Sequence, residues 1–231
     1  MKHQFLAAIF FCLMAACGPP DQKSQKSEQT SVQDEVTPEV VTNDKIILFF
    51  GNSITAGYQL AVEQAFPAVI QRRLDSLDYD YRVVNAGLSG ETTAGGKSRI
   101  DWVLRTVPDI FVLELGANDG LRGLPLAETP KNLQSIIDAV KKVNPEVRII
   151  IAGMRVPPNL GQAYTSGFAE IFPKVAADND AMLIPFILDG VAGIPELNLD
   201  DGIHPTPEGH QIIAETVWKY LSPLLEKEPE A

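Results

Sequence analysis

Five short apolar runs, most of them rich in β-branched residues, are the feature that most constrains how this chain folds. They are Ile46 to Phe50, Tyr81 to Asn85, Ile110 to Leu115, Val147 to Ala152 and Met182 to Phe186. Continuous apolar runs of this length are typical of strands buried on both faces of a parallel sheet. Because helical patterns separate the runs, we predict an α/β fold, a three-layer sandwich with helices on both faces of a five-stranded parallel sheet.

The helical patterns are apolar residues spaced three or four apart. They occur in the segments 66–77, 100–107 and 133–140. Trp102 and Trp218 fall within helical stretches, and a large aromatic side chain in such a stretch is more often buried than offered to a ligand. We therefore expect both tryptophans in the core.

The N-terminus has the features of a bacterial export signal. Lys2 is followed by an apolar run from Phe5 to Met14, and two alanines then precede Cys17. Small residues before a cysteine resemble the lipobox of bacterial lipoproteins, where cleavage leaves a lipidated cysteine at the mature N-terminus. The alternative is an ordinary secretory leader. We expect a signal peptide at 1–16, lipidation of Cys17, and a lipid-anchored protein in the cell envelope, facing the periplasm or in the outer membrane.

The remaining chain divides into a polar linker and one domain. Residues 17–44 contain too few large apolar side chains to fold, so we expect a flexible tether there, a single domain at 45–226 and a disordered tail at 227–231. The second cysteine, Cys12, lies inside the leader, which leaves no thiolate metal site or disulfide for the domain. A net charge of −11 argues against nucleic acid as a partner, and we expect neither a metal nor a cofactor.

Candidate bases are few, because the chain has three histidines and His3 lies in the leader. His204 follows two acids, Asp200 and Asp201, in a turn before the last helix. A carboxylate close to an imidazole can orient it as a general base. His210 lies about 240° further around that helix, so both rings should not face one site. We expect His210 on the helix surface or in packing.

Three further polar or small residues each follow a predicted strand. Ser53 follows the first strand and can act as a nucleophile or cap the next helix. Gly87 and Asn118 follow the second and third strands and can supply oxyanion donors or simply form turns. The carboxyl ends of parallel strands lie on one edge of the sheet, where ligands bind. We therefore expect these residues to converge there with the His204 segment.

Four ordered motifs together resemble the SGNH, or GDSL-type, serine hydrolase family. They are Gly-Asn-Ser-Ile-Thr around Ser53, Asn-Ala-Gly ending at Gly87, Gly-Ala-Asn-Asp around Asn118, and Asp-Gly-Ile-His-Pro from Asp201. The segments 120–124 and 164–176 are similar to the thioesterase I, lysophospholipase L1 and arylesterase branch. The resemblance implies a flavodoxin-like fold.

The resemblance also implies roles for these residues. Ser53 would be the nucleophile, His204 the general base and Asp201, rather than Asp200, the acid that orients it. The oxyanion hole would consist of the Ser53 and Gly87 backbone N–H groups and the Asn118 side chain. In the same branch the loop after Asn118 contacts acyl chains.

That loop contains Leu121, Leu124 and Leu126, which are expected to bind substrate; packing into the core is the alternative. The segment 155–162, with paired prolines, is expected to form another wall of the cleft. Asn52 stands where the family usually has Asp. This removes a charge beside Ser53, and we expect activity to survive.

The function implied is that of a serine esterase or thioesterase. Its substrates would be small ester or lipid molecules: aryl esters, lysophospholipids or acyl thioesters. Two alternatives are a carbohydrate O-acetyl esterase of the same family and a non-catalytic envelope lipoprotein that binds a lipid or glycan.

Overall fold

The computed structural model describes residues 45–227. The expected signal peptide at 1–16, the tether at 17–44 with Cys17, and residues 228–231 of the expected tail lie outside this range. Within the described range, no helix has the length and apolar character needed to cross a membrane. The same residues contain no cluster of three or more His, Cys, Asp or Glu side chains placed to hold a metal ion.

Five parallel strands form a single sheet in the order β2-β1-β3-β4-β5. They are β1 (Lys45–Gly51), β2 (Tyr81–Gly87), β3 (Ile110–Glu114), β4 (Arg148–Ala152) and β5 (Met182–Ile184). This is the flavodoxin-like order, and it confirms the predicted α/β fold with its five-stranded parallel sheet. The chain reverses direction across the sheet between β1 and β3, so the carboxyl ends of these two strands flank the position where such folds bind ligands.

Helices cover both faces of the sheet. They are α1 (Ser53–Ala56), α2 (Phe66–Ser76), α3 (Thr93–Val103), α4 (Ala117–Leu121), α5 (Glu128–Val143), α6 (Gln162–Asn179) and α7 (Pro207–Leu221). Helix α2 packs against α7, whereas α5 packs between α3 and α6. Right-handed crossovers place these two groups on opposite faces, which makes the three layers of the predicted sandwich.

The core lies on both sides of the two central strands. Every residue of β3 is buried, as are Ile46 to Gly51 of β1. Phe49 packs edge-to-face on Phe66 of α2, with ring centroids 5.3 Å apart, and Phe50 stacks on Phe111 at 5.8 Å. Burial of each such side chain contributes roughly 1.5–3 kcal/mol to stability. The site described below is therefore built on the two fully packed central strands of the sheet.

The expectation that both tryptophans belong to the core is wrong for Trp102. Its side chain is 64% exposed, because it lies on the outer face of α3 beside the edge strand β2. Helix α3 also ends at Val103, so Val107 is not part of it and is exposed. Trp218 of α7 is partly buried against the core, and the Arg73 guanidinium lies 4.4 Å from the centre of its ring.

His210 of α7 is a packing residue, as expected. Its ring is fully buried and stacks on Phe66. Its Nδ1 accepts a hydrogen bond of 3.1 Å from the backbone N–H of Phe66. Burial lowers the pKa of His210 to about 4, so the ring is neutral near pH 7 and joins α7 to the start of α2.

Candidate active site

Ser53 is the first residue of α1, directly after the turn that leaves β1. The preceding Asn52 caps this short helix, because its Oδ1 accepts a hydrogen bond of 2.9 Å from the backbone N–H of Ile54. Gly57 ends the helix with a φ of 72°, a conformation that glycine adopts without strain. The cap and the left-handed ending hold Ser53 at the carboxyl edge of the sheet.

A compact loop before α7 carries the acid and the histidine. Its ends are joined by a bridge between Asn198 and Pro205 and by a hydrogen bond of 2.7 Å from the Leu199 N–H to the His204 carbonyl. Asp201 Oδ1 accepts hydrogen bonds from the backbone N–H groups of Ile203, at 2.9 Å, and His204, at 3.0 Å. These contacts fix the orientation of the carboxylate within the loop itself.

The structure brings Ser53, His204 and Asp201 together in one hydrogen-bonded chain. His204 Nε2 lies 2.9 Å from Ser53 Oγ, and His204 Nδ1 lies 2.7 Å from Asp201 Oδ2. Hydrogen bonds from the backbone and ring of His204 and from the Ile203 backbone lower the pKa of Asp201 to about 2. Asp201 is therefore a carboxylate, which can only accept, so Nδ1 of His204 carries the proton and Nε2 faces Ser53 as an acceptor.

An aromatic ring supports the imidazole from one side. The Tyr58 ring lies against His204, with centroids 4.3 Å apart and planes inclined by 37°. Tyr58 follows α1 and its left-handed end at Gly57. The short helix α1 therefore presents Ser53 at its start and, just beyond its end, places Tyr58 against the histidine partner of Ser53.

Asn118 lies in the first turn of α4, directly after β3. Its Nδ2 donates a hydrogen bond of 3.0 Å to the Glu91 carbonyl, and the side chain lines the cleft beside Ser53. An amide carries two N–H groups, so one remains to point at a bound ligand. The next residue, Asp119, is buried and accepts from the Thr93 backbone at 2.8 Å and from its hydroxyl at 2.5 Å, which anchors α4 to the start of α3.

The structure does not support the expected role of Gly87 in the oxyanion hole. Gly87 is the last residue of β2, and its N–H donates to Asn85 Oδ1 at 2.9 Å. A Cβ at this position would lie 2.3 Å from the Ala56 backbone nitrogen. Gly87 is thus a glycine because β2 and α1 approach each other closely, and it borders a groove beside Trp102 rather than the cleft.

A different glycine, Gly90, lies closer to Asn118 along the loop after β2. Its φ is 79°, and its N–H makes no hydrogen bond to any residue between 45 and 227. The neighbouring Glu91 provides the carbonyl that receives the Asn118 amide, and its carboxylate pairs with Arg99 at 2.6 Å. The signal in the sequence is the second glycine of Asn-Ala-Gly-Leu-Ser-Gly, which ends at Gly90.

A cleft of about 580 Å³ opens next to Ser53 and His204. Its apolar lining consists of Ile54, Ala117, Leu121, Met154, Val156, Pro157, Pro158, Phe186, Leu188, Ala192 and Ile203. The start of the segment 155–162 does form a wall, as expected. Among the described lining residues, Phe186 is the one phenylalanine, tyrosine or tryptophan. The Arg155 guanidinium lies 4.9 Å from the centroid of its ring.

Of the three leucines expected to bind substrate, Leu121 alone lines this cleft. Leu126 packs against the core and lies beside Gly167 of α6. The carbonyl of Leu124 accepts a hydrogen bond of 2.8 Å from the Tyr164 hydroxyl, which ties the loop down at that point. Leu124 and Leu126 are not among the residues that line it, because α4 ends at Leu121 and the chain then turns towards α6.

A doubly covered parallel sheet that carries a Ser–His–Asp chain at its carboxyl edge defines a serine hydrolase. The sequence model of the GDSL-like lipase/acylhydrolase family matches residues 49–212. The chain therefore belongs to the GDSL-like lipase/acylhydrolase family, and it is a carboxylic ester hydrolase, as its motifs predicted.

Individual relatives agree with this membership. The chain is 41% identical over 180 residues to an esterase, TesA, of Pseudomonas aeruginosa, an alignment that covers 78% of this chain and 89% of that protein. It is 37% identical over 214 residues to an arylesterase of Vibrio mimicus, covering 92% and 94%. A crystal structure of TesA superposes with a TM-score of 0.75 at 39% identity and covers 78% of this chain and all of that one.

Proposed function

We propose that the protein hydrolyses carboxylic esters and thioesters through an acyl intermediate on Ser53. The observation that carries this proposal is the continuous chain of contacts from Ser53 Oγ to His204, at 2.9 Å, and on to Asp201, at 2.7 Å. A fluorophosphonate probe reacts with activated serines, so it is expected to label Ser53 in the folded protein. Active protein that carries no label at Ser53 would reject the proposal.

The reaction proceeds in two displacements. Ser53 Oγ attacks the carbonyl carbon while His204 Nε2 takes its proton, and Asp201 stabilises the imidazolium that forms. His204 then returns the proton to the departing alcohol or thiol as the bond to it breaks. Water repeats the sequence on the acyl-serine, which releases the acid and regenerates Ser53.

Three donors surround the position of the developing oxyanion in this proposal. They are the Ser53 backbone N–H, the second N–H of the Asn118 amide and the Gly90 backbone N–H, which takes the place first assigned to Gly87. The Ser53 and Gly90 N–H groups make no hydrogen bonds within the described part of the chain. Donors that are held in place before the reaction stabilise the charge without reorganisation.

Replacing Asn118 with alanine is expected to lower kcat by about 10²- to 10³-fold, because one oxyanion donor is lost. The measurement is turnover of a p-nitrophenyl ester at saturating concentration. Asn144→Ala is the matched control, since Asn144 Nδ2 also donates to a backbone carbonyl, that of Pro108, but at the amino edge of the sheet. Equal effects of the two substitutions would argue against a role for Asn118 in the hole.

The apolar walls of the cleft support an acyl chain as the group that it binds. Aryl esters, lysophospholipids and acyl thioesters all offer such a chain, and the relatives described above include an esterase and an arylesterase. A carbohydrate O-acetyl group is a poorer fit. Sugars bind on open aromatic faces, whereas Arg155 lies over the ring of Phe186.

Leu188→Trp is expected to shorten the preferred acyl chain, because the larger side chain occupies part of the cleft. We expect the rate on an acetyl ester to stay within about threefold of the wild-type rate, and the rate on an octanoyl ester to fall by about tenfold or more. The measurement is kcat/KM along an ester series of graded chain length. A uniform loss at every length would show that Leu188 does not limit the acyl site.

We further propose that the enzyme is tethered to the bacterial envelope by a lipid on Cys17. The support is the sequence alone: a short apolar run, two alanines and a cysteine. Cys17→Ser is expected to abolish the incorporation of a labelled fatty acid into the protein, with kcat unchanged. Incorporation of the label into this variant at the wild-type level would contradict the anchor.

A further inference from the structure

Glu114 is a buried carboxyl directly beneath the turn that carries Ser53. It is the last residue of β3, and 1% of its surface is exposed. Oε1 accepts a hydrogen bond of 2.6 Å from Asn52 Nδ2. Oε2 accepts from the Asn52 N–H at 3.2 Å, the Thr55 N–H at 3.3 Å and the Thr55 hydroxyl at 2.8 Å. All four donors belong to residues that flank Ser53.

The orientation of the Asn52 amide is determined by its two neighbours. Its Oδ1 accepts from the Ile54 N–H, so its Nδ2 must face Glu114. The opposite orientation would place two donors together at Ile54 and two acceptors together at Glu114. Asn52 therefore links the buried carboxylate to the first turn of α1, and its Oδ1 also lies 3.4 Å from Ser53 Oγ.

We propose that Glu114 is a positioning residue for the nucleophile, and that the amide of Asn52 allows it to act as a carboxylate. The proposal rests on the role of Ser53 as the nucleophile. A carboxylate that receives donors from both sides of Ser53 fixes the turn between β1 and α1. The distance from Ser53 Oγ to His204 depends on that turn.

The surroundings of Glu114 make its charge sensitive to its partners. Burial raises its pKa to about 7, and the only opposing influences are the hydrogen bonds from Thr55 and Asn52. Neither partner is charged, and no salt bridge reaches Glu114 within residues 45–227. Gly51 of β1 leaves no space for a further group, since a Cβ there would lie 2.7 Å from Glu114 Oε2.

Exchanging the two functional groups tests this pairing. In Glu114→Gln, an amide N–H₂ at the Oε1 position would oppose the Asn52 amide, donor against donor. In Asn52→Asp, two carboxyls would face each other at a position where 2.6 Å now separates nitrogen and oxygen, so they must share a proton. The double variant restores a complementary pair of reversed polarity, because the new amide at position 114 donates to the new carboxylate at position 52 and still accepts from Thr55.

We expect Glu114→Gln to lower kcat by about ten- to a hundredfold, with KM within about threefold of wild type, because the nucleophile is displaced rather than the cleft. Asn52→Asp should approach the wild-type kcat near pH 6 and fall about tenfold or more below it by pH 9, as the shared proton is lost. The double variant should recover to within about threefold of wild type. These rates are measured on a p-nitrophenyl ester across pH, with thermal unfolding of each variant.

Asp109→Asn is the matched control. Asp109 directly precedes β3, and its Oδ2 accepts from the Ile46 N–H at 2.6 Å, far from Ser53. We expect this variant to lower the melting temperature and leave kcat unchanged.

A Glu114→Gln enzyme with wild-type kcat, or a double variant whose loss equals the product of the two single losses, would overturn the inference. If Glu114→Gln fails to fold, the pH profile of Asn52→Asp and the recovery in the double variant still decide it. Retained activity in Ser53→Ala would instead reject the proposed function.

Discussion

Replacing Ser53 with alanine is expected to lower kcat by about 10⁶-fold, the scale of loss when a serine hydrolase loses its nucleophile. The Ser53 hydroxyl contacts His204 at 2.9 Å and Asn52 at 3.4 Å, and neither contact is needed to cap α1. The variant should therefore fold normally and bind ester. The measurement is hydrolysis of a p-nitrophenyl ester together with fluorophosphonate labelling, both of which should disappear.

Ser135→Ala is the control for this substitution. The Ser135 hydroxyl donates to the Lys131 carbonyl on the exposed face of α5, so its removal should change neither labelling nor turnover. A Ser53→Ala protein that keeps more than about one hundredth of the wild-type kcat would show that another group performs the attack.

Asp201→Asn is expected to lower kcat by about 10⁴-fold, because the amide would reverse the polarity of the contact with His204. An N–H₂ group at the Oδ2 position would donate to Nδ1, which then has to be the unprotonated nitrogen. Nε2 would carry the proton and could not accept one from Ser53. The loss should be confined to kcat, with normal thermal unfolding and slow fluorophosphonate labelling.

Asp200→Asn is the matched control, since Asp200 is the adjacent exposed acid of the same loop. We expect its kcat to stay within about twofold of wild type, as is usual for surface substitutions. If the two asparagine variants lose activity equally, the acid assignment is wrong and the loop as a whole is being disturbed.

The sheet was predictable because each strand contains a short apolar run bounded by polar turns, and the central strands β1 and β3 are buried on both faces. The order of the strands in the sheet followed from the family resemblance, because no apolar run by itself indicates which strands are neighbours. Trp102 was placed wrongly for a physical reason: it lies within the helical pattern of Ile100 and Val103 but points away from their face. Side-chain size alone does not determine the buried side of a helix.

The candidate site was predictable for those residues that directly follow a strand of the sheet. Ser53, Asn118 and His204 meet because parallel strands end on one edge of the sheet. The oxyanion donor was assigned to Gly87 because the sequence does not show where β2 ends. Without that boundary, it does not show which of the two nearby glycines lies in the loop. The pairing of Asn52 with Glu114 depends on β3 lying next to β1, a neighbour relationship that local pattern does not contain.

The closed loop between Asn198 and Pro205 has a consequence for how this enzyme can change over evolution. Asp201, His204 and the backbone hydrogen bonds that orient them all lie within this one loop. An insertion or substitution in a neighbouring segment can therefore shift the pair without separating the two side chains. After such a shift, only the distance from His204 Nε2 to Ser53 Oγ has to return to hydrogen-bonding range. The walls of the cleft can therefore change for new substrates while the hydrogen-bonded pair of Asp201 and His204 is kept.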